Sequence, residues 1–223
     1  LNSIYESIIT FFKNKNYMSN KNIDFNNKSI LITGGAGFIG SNLAFYFQAN
    51  FPNSNIIVFD CFRSESLFSN GNLKSFGHYK NLIGFKGTII CGNINTQSDL
   101  NLLSNYKFDY IFHLAAISDT RVYDQNIIMQ TNINSFYSLL KLAKKDKATI
   151  IYASSAATYG SLPSPQIEGS ENPENPYGFS KLMMDQIAKD FAVKNTDIVI
   201  VGLRYFNVYG PREYYKKNTS SMV

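Results

Sequence analysis

The sequence has only two cysteines, and no apolar stretch approaches the ~20 residues that a membrane span requires. Cys61 and Cys91 lack the spacing of a metal-ligand pair, so no metal is expected. They read as ordinary reduced thiols at strand ends, consistent with a cytoplasmic compartment. A secretory leader is missing too. Ile8-Ile9-Thr10-Phe11-Phe12 is too short for a signal core, and no small-residue cleavage site follows. Internal repeats and long single-sign charge runs are absent. The net charge is +5 and the pI about 9.0, yet the densest lysine clusters (Lys141, Lys144, Lys145, Lys147; Lys216, Lys217) are short. That scatter points away from nucleic acid; an anionic small substrate accounts for the sign.

The 223 residues have room for one large α/β domain, or one domain plus part of another. A hydrophobic share of 44% suits a buried core. The Asn/Lys-rich run from Lys13 to Lys28 reads as a solvated arm, so residues 1–27 are expected to stand outside the fold. The chain begins at Leu1, and Met18 is a candidate start that makes residues 1–17 extraneous. Short apolar runs at Ser29–Thr33, Ile56–Asp60, Thr88–Cys91, Tyr110–Leu114, Thr149–Ala153 and Ile198–Arg204 predict strands. Helices are predicted over Phe38–Asn50, Ile127–Lys144 and Tyr177–Lys194, and another begins at a cap formed by Thr96 with Asp99. This alternation predicts an α/β fold, a Rossmann-type doubly wound parallel sheet spanning residues 28–207. Residues 208–223 are expected to open a substrate-binding lobe that is truncated. Residues 61–86 form a connection long enough to be functional.

Gly34, Gly37 and Gly40 are spaced Gly-x-x-Gly-x-x-Gly between a strand and a helix, the context that gives such glycines meaning. One makes the turn, one lets backbone amides approach a pyrophosphate, and one lets the helix pack on the strand. Asp60, about twenty residues on and followed by Cys61, is placed to hold the adenosine ribose hydroxyls. Asp60 alone favours NAD, whereas Arg63 lies close enough to pair with a 2′-phosphate and keeps NADP open. Asn93 after the third strand can touch adenine or serve as a turn residue. Leu114, Ala115 and Ala116 let a cofactor lie against backbone, and His113 before them is a packed strand-end residue rather than a catalyst. Asn132 faces the cofactor or braces the interior.

Tyr177 and Lys181 stand four apart in a helical segment and so share a face. A free tyrosine has a pKa of about 10, and bringing it near 7 takes about 4 kcal/mol of differential stabilisation of its anion. A lysine ammonium and a cationic nicotinamide are placed to provide this, making Tyr177 a base for the hydroxyl of a secondary alcohol. Of Ser154 and Ser155, which end the fifth strand, Ser155 is the residue expected to hydrogen-bond the reacting oxygen.

Tyr152-Ala153-Ser154-Ser155-Ala156-Ala157-Thr158-Tyr159-Gly160, Tyr177-Gly178-Phe179-Ser180-Lys181, and Arg204-Tyr205-Phe206-Asn207-Val208-Tyr209-Gly210-Pro211-Arg212-Glu213 together resemble the extended short-chain dehydrogenase/reductase family. The resemblance runs from about Lys28 to the C-terminus. Within the family the chain is most similar to nucleotide-sugar epimerases that invert carbon 6 of an ADP-heptose for the lipopolysaccharide core. This implies a cytoplasmic isomerase, a homo-oligomer when complete, with NADP as cofactor and NAD less favoured. It implies cofactor contacts from Gly34, Gly37, Phe38, Ile39, Gly40, Asp60, Ser118, Asn132, Lys181 and Val208. Ser155, Asn207, Lys216 and Ser221 would face the substrate, with Lys216 a second proton-transfer group. Asn93 stands where the family usually has an acid. Ala156 and Ala157 stand where dehydratases of the family carry Asp-Glu, which disfavours dehydration. A UDP-sugar 4-epimerase is the alternative enzyme, and a cofactor-binding module without turnover the alternative of another class.

Overall fold

A computed structural model describes residues 23–220. Six parallel strands form one sheet: β1 (Ser29–Thr33), β2 (Asn55–Asp60), β3 (Thr88–Cys91), β4 (Tyr110–His113), β5 (Thr149–Ser155) and β6 (Ile200–Tyr205). Their order is β3-β2-β1-β4-β5-β6, the expected doubly wound α/β arrangement. The connection reverses direction between β1 and β4, which leaves a crevice at the carboxyl ends of the strands. Helices α1 (Phe38–Asn50), α2 (Gln97–Asn101), α3 (Gln125–Ile128), α4 (Ser135–Asp146) and α5 (Pro176–Lys194) follow in chain order.

Successive strand residues point to opposite faces, and both faces are apolar. Leu31, Ile57, Ile111 and Ile150 pack with Phe136, Leu139 and Leu140 of α4 and Met184 of α5. Ile30, Ile32, Val58, Phe112 and Ile151 pack with Leu43 and Phe47 of α1. Each such side chain stabilises the fold by about 1.5–3 kcal/mol on burial. In α4 the buried residues recur at helical spacing, and Lys144 and Lys145 lie in its last turn before Lys147, whose φ is 57°. Cations there favour the helix dipole, a local account of the basic cluster.

Several elements differ from the sequence expectation. Phe25, assigned to the solvated arm, is only 5% exposed and packs edge-on against Phe47 and Phe51. Its aromatic ring outweighs the polar composition around it. The rest of the arm, residues 1–22, lies outside the described residues. The helix expected over Ile127–Lys144 is α3, a π-helical turn at Met129–Asn134, and α4. Thr96 occupies the N-cap position of α2, but its side chain caps nothing. Asp99 instead accepts the Asn93 N–H at 2.8 Å, tying α2 to the end of β3. Strand β5 extends to Ser155, so that Ser154 and Ser155 pair in register with Arg204 and Tyr205 of β6.

Candidate active site

A cavity of about 740 Å³ runs along the carboxyl ends of the strands. The glycine loop forms its middle. Gly34 has φ +72°, and a Cβ there would come within 2.7 Å of the Ala115 nitrogen. A Cβ on Gly40 would lie 2.3 Å from the Gly34 oxygen, so only glycine lets the first turn of α1 sit on the loop. Gly37 is the N-cap of α1, with no side-chain cap and no acid in the first turn. The first N–H groups of a helix have no intrahelical partner, and here Gly37, Phe38, Ile39 and Gly40 line the cavity. An uncapped helix start behind a side-chain-free loop fits a dinucleotide's pyrophosphate.

At one end the cavity is lined by Asp60, Cys61 and Asn93. Asp60 is 6% exposed. Its Oδ2 accepts the Ala36 N–H at 2.9 Å and its Oδ1 the Phe62 N–H at 2.8 Å, with a third backbone bond from Gly37. Burial pushes this carboxyl upward, and the N–H groups pull against it. Asp60 therefore braces the glycine loop as well as facing the cavity. Asn93 closes a turn by accepting the Asn95 N–H at 2.9 Å, the turn-residue role the sequence also allowed. Leu114, Ala115, Ala116 and Ser118 follow β4 along the far wall.

At the other end stand Ser155, Tyr177 and Lys181. Asn175 caps α5 by accepting the Gly178 N–H at 2.8 Å, and Pro176 begins the helix. A Cβ on Gly178 would meet the Ala157 oxygen at 2.5 Å, so the start of α5 abuts the turn after Ser155. This close approach brings Tyr177 to Ser155. Lys181 is 2% exposed, with its Nζ 5.8 Å from the centre of the Tyr177 ring. Burial lowers Lys181 to about 8, while Asp185 raises it. Burial also raises the Tyr177 phenol, and a hydrogen bond from Ser155 lowers it. In the chain alone, burial therefore outweighs the expected lowering of the tyrosine.

Asn207, Val208 and Lys216 reach the same cavity from the segment after β6. The Lys216 Nζ lies 3.3 Å from the Glu213 Oε1 and 5.6 Å from the centre of the Phe38 ring. Ser221 lies outside the described residues.

Two expected cofactor residues are not brought to the cavity. Arg63 is turned aside, its guanidinium donating to the Tyr215 carbonyl. Asn132 is fully buried and serves as a brace: its Oδ1 accepts the Ile117 N–H at 2.9 Å, and its Nδ2 donates to the Ile117 carbonyl and the Ser180 Oγ. The π-helical turn carries it inward, and Ser180 in turn donates to the Tyr177 carbonyl at 2.7 Å. Asn132 thus steadies the helix that carries Tyr177 and Lys181.

Sequence reasoning marked the long connection as functional but named none of the residues that make the second wall. Phe68, Leu73, Lys74, Ser75, Phe76 and Gly77 all line the cavity, because the long connection folds back over it as a strap. Phe68 packs with Ile117, Val122 and Ile128. The Asn72 amide donates to Asp119, and the Asn70 amide to the Arg121 carbonyl at 3.1 Å. The alternation of Leu67 with Leu73 across a turn was the available signal, for these two residues form an antiparallel bridge.

Behind the site, Arg204 Nε lies 2.9 Å from Asp185 Oδ2 and its Nη2 2.5 Å from Glu171 Oε1. Its guanidinium sits 4.8 Å from the centre of the Tyr159 ring, and Tyr152 donates to the other Asp185 oxygen at 2.8 Å. His113 is 1% exposed, stacks on Phe136, and has Nδ1 2.8 Å from Thr33 Oγ1. This is the packed strand-end role expected for it. Burial, and then Lys181, lower His113 to about 3. The unfolded chain therefore binds the extra proton between about pH 6.5 and pH 3, and His113 contributes stability that is lost as pH falls through that window. Unfolding free energies from urea titrations taken from pH 7 to pH 4 should drop, by about 1.4 kcal/mol per pH unit at most from this group. A His113→Gln variant with the same acid slope would show that other groups carry it.

A model of the NAD dependent epimerase/dehydratase family matches residues 30–223. An ADP-L-glycero-D-manno-heptose-6-epimerase of Brachyspira hyodysenteriae (strain ATCC 49526 / WA1) is 36% identical over 199 residues, covering 87% of this chain and 59% of that protein. The crystal structure of the Helicobacter pylori ADP-L-glycero-D-manno-heptose-6-epimerase is 52% identical with a TM-score of 0.81, over 92% of this chain and 63% of that one. A UDP-N-acetylglucosamine 4-epimerase from Methanobrevibacter ruminantium M1 is 29% identical with a TM-score of 0.71, over 88% of this chain and 60% of that one. The chain thus spans about three fifths of the length of these relatives.

Proposed function

The chain belongs to the NAD-dependent epimerase/dehydratase family, and from that premise we propose that its protein is a nucleotide-sugar epimerase inverting carbon 6 of an ADP-heptose. The observation that carries this reading is one cavity lined by the uncapped start of α1, by Ser155, Tyr177 and Lys181, and by Lys216 from a separate segment. The heptose assignment is supported by the 52% identity to the Helicobacter pylori enzyme, against 29% for the UDP-sugar epimerase.

A nicotinamide dinucleotide, when bound, supplies a hydride acceptor and donor and, in its oxidised form, a positive charge. Gly37, Phe38, Ile39 and Gly40 would hold its pyrophosphate and Asp60 its adenosine ribose. NADP is preferred to NAD in this reading, because three backbone N–H groups already engage Asp60 and blunt its repulsion of a 2′-phosphate. Ser155 orients the hydroxyl on carbon 6. Tyr177 Oη accepts that hydroxyl's proton as the carbon becomes a ketone, and Lys181 stabilises the phenolate. Inversion requires reduction from the opposite face of the same ketone, where Lys216 Nζ returns a proton to the oxygen.

The test is incubation of the whole protein, loaded with NADP, with each carbon-6 epimer of the ADP-heptose. Either epimer should give the same final mixture, read by chromatography. Interconversion of a UDP-hexose instead would favour the 4-epimerase, and cofactor binding without conversion of any sugar would favour a non-catalytic module.

A further inference from the structure

Arg63, the basic residue nearest Asp60 in sequence, gives its guanidinium to the Tyr215 carbonyl, and it does not line the cavity. Within the connection after β2, the positive side chain that does line the cavity belongs to the strap. Lys74 is exposed and lines the cavity beside Ser75. The Gly77 N–H donates to the Ser75 hydroxyl at 3.2 Å, which shapes this part of the strap, and Ser75 and Cys61 line the same cavity. Gly77 closes on Asp60 itself, for a Cβ there would come within 2.3 Å of Asp60 Oδ1.

Both ends of the strap are anchored. His78 N–H donates to the Ala36 carbonyl at 3.0 Å, and Asn81 Nδ2 donates to the same carbonyl at 3.0 Å. At its far turn Asn72 donates to Asp119, whose partner Arg121 holds the carboxyl below the usual range. Lys74 lies between these anchors and is itself tied by its N–H to the Ser66 carbonyl at 3.3 Å. Its position is therefore set by the backbone, while its ammonium stays exposed.

We infer that Lys74, carried by the anchored strap, is the residue that selects for a 2′-phosphorylated dinucleotide, and that Arg63 is a structural tie to the segment after β6. This rests on the reading that the cavity takes a nicotinamide dinucleotide. The phosphate would lie against the exposed Lys74 ammonium, at the edge where the Asp60 charge is already engaged by backbone N–H groups. An ammonium–phosphate pair is a charge-assisted contact, and it is absent when the ribose carries only hydroxyls.

Equilibrium titrations of the purified chain with NADPH and with NADH, read by nicotinamide fluorescence, separate the two residues without requiring activity. Lys74→Gln should weaken NADPH binding by about tenfold or more and leave NADH binding unchanged, and Lys74→Arg should restore the preference. Arg63→Gln should leave the NADPH-to-NADH ratio as in the unaltered chain. A ratio that survives Lys74→Gln, or collapses in Arg63→Gln, overturns the assignment to Lys74. No NADPH preference in the unaltered chain overturns the NADP reading itself, and Lys74 with it. Because Lys74 is exposed, equal losses for both cofactors would also count against a 2′-phosphate role.

Discussion

Replacing Tyr177 by Phe is expected to lower epimerase turnover by about 10²–10⁴-fold, the usual contribution of a general acid–base group, with cofactor affinity nearly unchanged. The substitution removes one oxygen from a side chain whose ring position is set by the Asn175 cap and the close approach of Gly178 to Ala157. Neither feature depends on the phenol. The hydroxyl that is lost sits beside Ser155, and burial holds it on the protonated side. Phenylalanine therefore leaves a filled pocket without a proton acceptor. The measurement is turnover with saturating sugar, paired with a cofactor titration on the same preparation. Turnover equal to that of the unaltered protein would assign the proton to another group. A parallel loss of cofactor affinity would make Tyr177 a binding residue.

Lys216→Met is expected to block conversion between the two epimers by a similar factor of about 10²–10⁴, again with cofactor affinity preserved. A linear methionine keeps most of the stem that crosses Phe38 and lacks the ammonium beside Glu213. One partner of Glu213 is removed with it, and this acid is only 8% exposed. The thermal midpoint should therefore be recorded alongside, to separate loss of chemistry from loss of fold. If Tyr177 and Lys216 serve opposite faces of one ketone, each single variant stops inversion. Full activity in Lys216→Met would leave a scheme with one proton-transfer group.

The glycine spacing and the Tyr177–Lys181 pair were legible because each is local, the geometry of one turn or one helix face. Strand alternation gave the sheet for the same reason. Arg63 misled because nearness in sequence says nothing of direction: its guanidinium runs to Tyr215, far along the chain. Asn132 was placed on a regular helix, whereas a π-helical turn rotates it inward to Ile117 and Ser180. The strap escaped because Phe68 and Asn72 find their partners at Ile117, Val122 and Asp119, contacts that no local pattern encodes. Phe25 escaped because one ring in a polar run is invisible to composition, though it fills a space among Phe47, Phe51 and Tyr110.

The Arg204 guanidinium reaches back to carboxylates that precede it in the chain, Glu171 and Asp185. Synthesis is vectorial, and domains generally fold as units. Strands β1 to β4 and the glycine loop are complete before residue 114, so the pairings β3-β2-β1-β4 are available early while β4 still lacks β5. Helix α5 carries Tyr177 and Lys181 but waits on β6 for the cation that sits beside Asp185. The sheet therefore closes around Asp185 only when Arg204, the last of its partners in chain order, is in place beside it.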